Sequence, residues 1–199
     1  MTLDPLTELF AKLEHRHCLP EHWAEQHPES FEGIWARSDD AEALIGLGGR
    51  VVDRRLLSRA ACACAKWSLQ FGSAGTAPRR AIAVAEAWCQ GDANAADIWQ
   101  VIADAEAEPD WAGQAAAAAA AVAVHDYPFE PACSAVRNAA DVAALHAIRE
   151  KAALTYIRHD DPDWLAARAI ASSQLAALVR EYVPCPSLDQ LREAFEREP

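Results

Sequence analysis

Lysine and arginine are absent from residues 81–135, a stretch of 55 residues in a chain of 199. Nine carboxylates lie in the same stretch: Glu86, Asp92, Asp97, Asp104, Glu106, Glu108, Asp110, Asp126 and Glu130. Over the whole chain, 30 acidic residues outnumber 18 basic ones, for a formal net charge of −12. Because nucleic-acid binding depends on Lys and Arg at phosphates, this composition argues against a DNA or RNA ligand. It favours a basic protein partner.

Long apolar runs are also missing. The nearest, Ala115–Val124, falls short of the roughly 18–20 residues that a membrane-spanning helix needs, so we expect no membrane segment. Three of the six cysteines, Cys62, Cys64 and Cys89, lie in Ala-rich apolar segments, where a free thiol serves as a small hydrophobe. With no secretory signal pattern at the start, we expect reduced thiols and a soluble, cytoplasmic protein.

Glycine is scarce, with 8 residues, while alanine dominates the 52% apolar fraction. Alanine is the best helix former and is poor in strands. The composition therefore predicts an all-α fold: a compact multi-helix bundle of antiparallel helix pairs with no sheet. We expect one domain over residues 1–199, in which a subregion of short helices (1–52) packs on a helical core (53–183) and a terminal helix follows (187–199).

Two segments are predicted to form a helical hairpin, Asp53–Phe71 and Pro78–Gln90. Proline suits the first position of a helix, and Gly91 suits the residue just past the end, where a left-handed backbone is common. Apolar residues at helical spacing predict a packed stripe on each helix. We expect four large side chains in the core: Trp67, Ile82, Val84 and Trp88.

Polar residues mark several further helix starts. Asn94 is a predicted N-cap, and so is Asn138 for a long helix through Ile148. Either Ser38 or Asp39 can cap a helix whose apolar residues are Leu44, Ile45 and Leu47. The pattern Ser187-Leu188-Asp189-Gln190 predicts a capping box before the last helix.

The sequences Pro109-Asp110-Trp111 and Pro162-Asp163-Trp164 resemble each other. Each places proline where a helix can begin and an aspartate in the first turn, where the helix dipole favours an anion. The match could reflect an internal repeat of a helix pair, although a solenoid needs about three repeats. We prefer convergent helix-start chemistry.

No residue set predicts catalysis or a cofactor site. Cys62 and Cys64 are two positions apart, so on a helix they point about 200° from each other and cannot share a metal ion. The richest ligand cluster is His15, His17, Cys18, His22 and His27, but Pro20 interrupts any single helix through it. No Ser-His-acid or Cys-His set can be nominated from spacing. We therefore expect a non-enzymatic protein with no catalytic residues, no metal and no cofactor.

The segments Arg54–Ala65 and Pro78–Gly91 together resemble the Ala-rich helical immunity proteins of bacterial polymorphic-toxin systems. The poly-Ala helix from Ala115 and its following His125 fit the same resemblance, which covers residues 50–180. It implies an all-α fold and a role in neutralising a toxin in the cytosol. It supplies no functional residues.

Acidic charge and tryptophan together suggest a protein-binding surface. We expect a binding protein whose cognate partner is a basic bacterial toxin domain; the alternative is a helical scaffold or regulatory protein with a non-toxin partner. The pattern says nothing of the oligomeric state. Aromatic side chains near the acids are candidate anchors. The candidate partner-binding residues are Asp97, Trp99, Asp104, Glu106, Glu108 and Trp111.

Overall fold

A computed structural model describes residues 31–71, 75–108, 110–151 and 160–197. Over these residues the chain forms nine helices and no strand, which confirms the all-α helical bundle. The helices are α1 (Phe31–Arg37), α2 (Ala41–Gly48), α3 (Arg54–Ser68), α4 (Thr76–Gln90), α5 (Ala95–Glu106), α6 (Trp111–Ala121), α7 (Phe129–Lys151), α8 (Pro162–Tyr182) and α9 (Leu188–Arg197). None of the described helices is long and apolar enough to cross a membrane.

The Ala-rich helix α6 lies in the middle of the bundle. It packs against α3, α4, α5 and α7, and α7 in turn packs against α2, α3 and α8. Seven residues of α6 are buried: Ala112, Gly113, Ala115, Ala116, Ala117, Ala119 and Ala120. Gly113 allows the closest approach, because a Cβ there would lie 2.7 Å from the carbonyl oxygen of Ala105 on α5. Small side chains thus let α6 contact neighbours on several sides.

Helices α3 and α4 pack on each other as the predicted hairpin, although two details of the prediction are wrong. Helix α4 begins at Thr76, so Pro78 is its third residue rather than its first. Ile82 is buried, but Trp67, Val84 and Trp88 are only half-buried against the core. Small neighbours such as Ala85 and Cys89 face the interior and leave these larger side chains at its edge.

Three predicted helix ends are confirmed. Asn94 and Asp97 form a reciprocal capping box at the start of α5. Gly91 ends α4 with φ of 90°, a left-handed conformation that glycine adopts without strain. Ser187 and Gln190 also cap reciprocally: the Gln190 N–H donates to Ser187 Oγ over 3.2 Å, and the Ser187 N–H donates to Gln190 Oε1 over 2.9 Å.

Two predicted caps are wrong. Helix α7 begins at Phe129, so Asn138 lies in its middle; Pro131 fits the first turn, where no backbone N–H is needed. The N-cap of α2 is Asp40, whose carboxylate accepts the Ala43 N–H over 3.0 Å, rather than Ser38 or Asp39. Ser38 supports that cap, since its Oγ accepts the Asp40 N–H over 3.3 Å.

The two Pro-Asp-Trp sequences start their helices in different registers. Pro162 is the first residue of α8, and Asp161 caps it. In α6, however, the aspartate of the motif, Asp110, is itself the N-cap and Trp111 is the first helical residue. The rings of Trp111 and Trp164 nonetheless meet edge to face, with centroids 5.7 Å apart. The similar sequences therefore build one contact between two helix starts.

Helices α1 and α2 pack on the main bundle, chiefly through α8 and α7. The guanidinium of Arg180 on α8 donates to the carbonyl oxygens of Trp35 and Ser38, over 3.3 and 2.6 Å. Phe31, Ile34 and Trp35 are buried, as their spacing predicts. The helices predicted before residue 31, and the histidine cluster among them, lie outside the described residues.

An ionic network fastens α2 to α7 and α8. Glu42 on α2 pairs with Arg137 on α7 and with Arg168 on α8, at 3.5 Å from Arg168 Nη2. Arg168 Nε also donates to Asp141 over 2.8 Å. The hydrogen bond to Glu42 raises the pKa of Arg137, so the guanidinium stays charged at any physiological pH. These ion pairs link α2, α7 and α8 to one another.

Changing Asp40 to asparagine is expected to stabilise the protein at neutral pH. Burial raises the pKa of Asp40 above its usual 3.8, so the folded state disfavours the carboxylate. The contribution of Asp40 to the free energy of unfolding is therefore complete below about pH 4, and it declines as the pH rises through the pKa that Asp40 has in the folded state. Asparagine caps equally well without a charge. We therefore expect Asp40→Asn to be more stable than the wild type at pH 7 and equally stable near pH 3.5.

Urea unfolding of both proteins at the two pH values measures this difference. Asp40→Ala, which removes the cap, should instead lose about 1 kcal/mol. Asp53→Asn changes an exposed N-cap and should bring no gain at either pH. A loss of stability in Asp40→Asn at pH 7 would contradict the assignment of burial as the dominant effect.

Candidate partner-binding groove

The six candidate residues divide by the roles that the fold gives them. Asp97 completes the capping box of α5, accepting the Asn94 N–H over 3.1 Å. Asp104 accepts from Gln100 Nε2 over 2.9 Å and pairs with Arg80 at 3.4 Å. Both carboxylates thus already have partners within the described chain. Changing them would disturb α5 itself.

Glu108 and Trp111 also make internal contacts. The Glu108 carboxylate lies against Gly75, 2.8 Å from where a Cβ would stand. Gly75 is the N-cap of α4 and supplies no side-chain cap, so a nearby anion stabilises that helix end through its dipole. Trp111 is half-buried against Trp164. Both residues therefore contact other parts of the fold, whereas the sequence suggested that they contact a partner.

Trp99 and Glu106 remain on the outside. The Trp99 side chain is 57% exposed, the most exposed tryptophan in the described chain. Glu106 is exposed as well and lies seven residues further along α5. A spacing of seven residues places both on one face of the helix. Asp97 and Asp104 lie on a different face, so the structure separates the candidates into two flanks of α5.

Glu106 lines a groove of about 530 Å³ between α6 and α7. We call this the α6–α7 groove. Its floor is made of alanines, and its walls carry polar side chains and one proline. The lining residues are Glu106, Gln114, Ala117, Ala118, Ala121, His125, Glu130, Pro131, Ser134 and Asn138.

The groove is acidic and has aromatic side chains near it. It is lined by two carboxylates, Glu106 and Glu130, and by neither lysine nor arginine. Tyr127, 47% exposed, lies in the connector beside Glu130, whose N–H donates to the Tyr127 carbonyl over 3.2 Å. Trp99 shares the face of Glu106. Exposed aromatics beside charges are typical of protein-binding surfaces.

Local backbone contacts fix the connector at one end of the groove. The Tyr127 N–H donates to Nδ1 of His125 over 3.1 Å, which holds the imidazole against the chain. Tyr127 also packs edge to face on Phe129, with centroids 6.4 Å apart. These contacts keep His125 and Glu130 at the start of α7 and preform that end of the groove.

The lining of the groove combines titratable and uncharged polar side chains. It contains a histidine and carboxylates, but no hydroxyl or thiol hydrogen-bonded to a base, as an activated nucleophile requires. Burial raises the pKa of Cys64 to about 12 and that of Cys62 higher still, so both thiols are protonated at neutral pH. Among the residues that the structure describes, no group of three His, Cys, Asp or Glu could hold a metal ion.

Sequence reasoning named Glu106 and Trp99 but missed most of the groove. Gln114, Ala118 and Ala121 recur at helical spacing, yet in a run of alanines no contrast in hydropathy shows which face is exposed. One usable signal was the spacing of Glu130, Ser134 and Asn138, which recur every four residues and therefore lie on one face of α7. The prediction of Asn138 as an N-cap concealed it.

Together, fold and groove define an all-α helical bundle with an open acidic groove on one side. Comparison with protein-family models, curated proteins and solved structures gave no match. Function must therefore be argued from the surface itself.

Proposed function

We propose that the chain is a non-enzymatic binding protein that neutralises a basic bacterial toxin domain in the cytoplasm, as an immunity protein does. The observation that carries this proposal is the groove side of the bundle, which has exposed carboxylates and aromatics and no lysine or arginine among its lining residues. The resemblance of α3 and α4 to Ala-rich immunity proteins points the same way.

Charge explains why a toxin is a suitable partner. Toxin domains that act on nucleic acids carry lysine and arginine to hold phosphates. An acidic protein can cover that surface and exclude the substrate. Opposed potentials accelerate encounter, and they make association sensitive to salt. Affinity then depends on a few desolvated anchors, for which the exposed Trp99 on α5 and Tyr127 in the connector are the candidates.

A scaffold or regulatory role is the second candidate, favoured by a different surface. Leu165 and Ile170 on α8 are 53% and 64% exposed, and the proposed toxin contact does not use them. Exposed apolar side chains outside the toxin contact suit a protein that joins partners. A basic toxin domain encoded beside this chain would favour immunity, and a neighbouring gene for a non-toxin partner would favour the scaffold.

Changing Trp99 to alanine is expected to weaken binding of the neighbouring toxin domain about 30-fold. Loss of a central aromatic anchor costs about 2 kcal/mol. Titration calorimetry measures the dissociation constant, and stopped-flow mixing measures association across a salt series. We expect association to slow as salt rises from about 0.05 to 0.5 M, where the screening length falls severalfold.

Leu165→Ala is the matched control, because Leu165 is similarly exposed on α8. It should leave the dissociation constant unchanged. Equal effects of the two changes, together with association that ignores salt, would contradict the proposal and favour the scaffold. Unfolding measurements on Trp99→Ala should show a change below about 0.5 kcal/mol, as expected for a surface residue.

A further inference from the structure

The α6–α7 groove has two walls, each made of one helical face. Gln114, Ala117, Ala118 and Ala121 are spaced i, i+3, i+4 and i+7 along α6, while Glu130, Ser134 and Asn138 are spaced i, i+4 and i+8 along α7. Seven residues of helix rise about 10 Å, so the groove is about that long. Its alanine floor leaves room for an inserted chain.

The two carboxylates stand at opposite ends of this groove. Glu130 is the second residue of α7, next to the connector that leaves α6, and so lies near Ala121. Glu106 lies at the other end, because Gly113, the neighbour of Gln114, packs against Ala105. Along the axis of α6, the two carboxylates are therefore offset by about one groove length, on the order of 10 Å.

Basic side chains that contact Phe129 and Ala123, close to the groove in sequence, are held by those groups. The Arg50 guanidinium stacks over the Phe129 ring, 4.1 Å from its centroid. Arg54 donates to the carbonyl oxygen of Ala123 over 3.2 Å. Neither residue lines the groove. Its negative charge is therefore available to a ligand.

Between the carboxylates lie uncharged polar side chains. Gln114 and Asn138 each present an amide with donors and an acceptor, and the Ser134 hydroxyl, which donates to the Glu130 carbonyl over 3.1 Å, can still accept. A helical ligand satisfies its own backbone groups and has no use for these side chains. An extended ligand carries unpaired N–H and C=O groups that need partners of this kind.

We propose that the groove binds an extended segment of the basic partner, with one lysine or arginine side chain at each end; this rests on the proposed function and specifies the chemistry of its contact. In the extended polyproline II conformation, a chain advances about 3.1 Å per residue with three residues per turn, so about 10 Å corresponds to basic residues at positions i and i+3 on one face. Small residues between them lie on the alanine floor. Their backbone groups pair with Gln114, Ser134 and Asn138.

The test uses the full-length, isotope-labelled chain and a capped hexapeptide, Gly-Arg-Ala-Ala-Arg-Gly. We expect saturable shifts of the Ala118 and Ser134 amide signals in NMR spectra. A peptide with glutamate in place of both arginines should cause none. A peptide with adjacent arginines should bind severalfold more weakly. Equal shifts with the glutamate peptide, or no shifts with the arginine peptide, would overturn the inference.

Variants locate the contact. Glu106→Gln combined with Glu130→Gln should weaken the arginine peptide about tenfold, and Ala118→Leu, which fills the floor, should block it. Glu181→Gln combined with Glu196→Gln removes two exposed carboxylates elsewhere and is the matched control, with no change expected. Amide spectra of each variant verify the fold. Unchanged peptide affinity in a folded groove variant would also refute the assignment.

The toxin domain separates this inference from the proposed function. If the domain binds wild-type protein and the groove variants equally well, the groove assignment fails while the binding function stands. If the arginine peptide behaves as expected but no basic domain is bound, the groove assignment stands and the immunity role fails.

Discussion

Replacing Trp164 with alanine is expected to lower the free energy of unfolding by about 3–5 kcal/mol. The side chain is 2% exposed and lies at the start of α8, packed with Ala144 and Ile148 of α7. Its ring also meets Trp111 of α6 edge to face. One side chain therefore fastens three helices, and its loss opens a large cavity. Typical domains have only about 5–15 kcal/mol of stability, so the loss is a substantial fraction.

Denaturant unfolding followed by far-ultraviolet circular dichroism measures this loss without relying on tryptophan emission. Leu165→Ala, at the next position but 53% exposed, is the control and should change stability by less than about 0.5 kcal/mol. A double-mutant cycle that combines Trp164→Ala with Trp111→Ala should give a coupling energy of about 0.5–1.5 kcal/mol between the two rings. A cost below about 1 kcal/mol for Trp164→Ala would show that the start of α8 does not pack as described.

The sequence predicted helix ends well where a local backbone requirement determines the residue type. Asn94, and Ser187 with Gln190, satisfy backbone N–H groups that any helix start leaves unpaired. Gly91 occupies a conformation that other residues avoid. These local requirements hold whatever surrounds the helix, which is why they can be inferred without the fold.

Packing direction could not be predicted in the same way. Helix α6 is almost entirely alanine, so its periodicity carries no contrast between buried and exposed faces. Ile82, Val84 and Trp88 of α4 are all predicted in the core, but only Ile82 is buried, beside Ala81 and Ala85. On this helix the small side chains occupy the interior, and Val84 and Trp88 pack against its edge.

The candidate site shows the same limit. Sequence reasoning found the acidic region and named Trp99 and Glu106, which are both exposed, and Glu106 lines the groove. It could not distinguish them from Asp97, which caps a helix, or from Asp104, which pairs with Arg80, because a sequence does not show the partners of a carboxylate. Only the three-dimensional partners separate charges used inside the fold from charges left for a ligand.

Reversing the groove charges, with Glu106→Lys and Glu130→Lys together, is expected to weaken toxin binding about a thousandfold. The change removes two attractive carboxylates and sets two ammonium groups against the partner's basic residues. Like charges brought together at an interface cost several kcal/mol, and about 4 kcal/mol corresponds to a factor of a thousand. Because the charges lie within the contact, dissociation should accelerate and association should also slow.

Net charge is the competing explanation, and a second variant isolates it. Each Glu→Lys change adds two units, so both the groove variant and a control with Glu181→Lys and Glu196→Lys move from −12 to −8. The control variant should associate modestly more slowly than the wild type at low salt. Its association rate should return to the wild-type value at about 0.5 M salt, where the screening length is shorter, and its dissociation rate should equal that of the wild type. If both variants bind with equal affinity, long-range charge alone guides the partner, and the contact lies away from the groove. If only the groove variant dissociates faster, Glu106 and Glu130 touch the toxin.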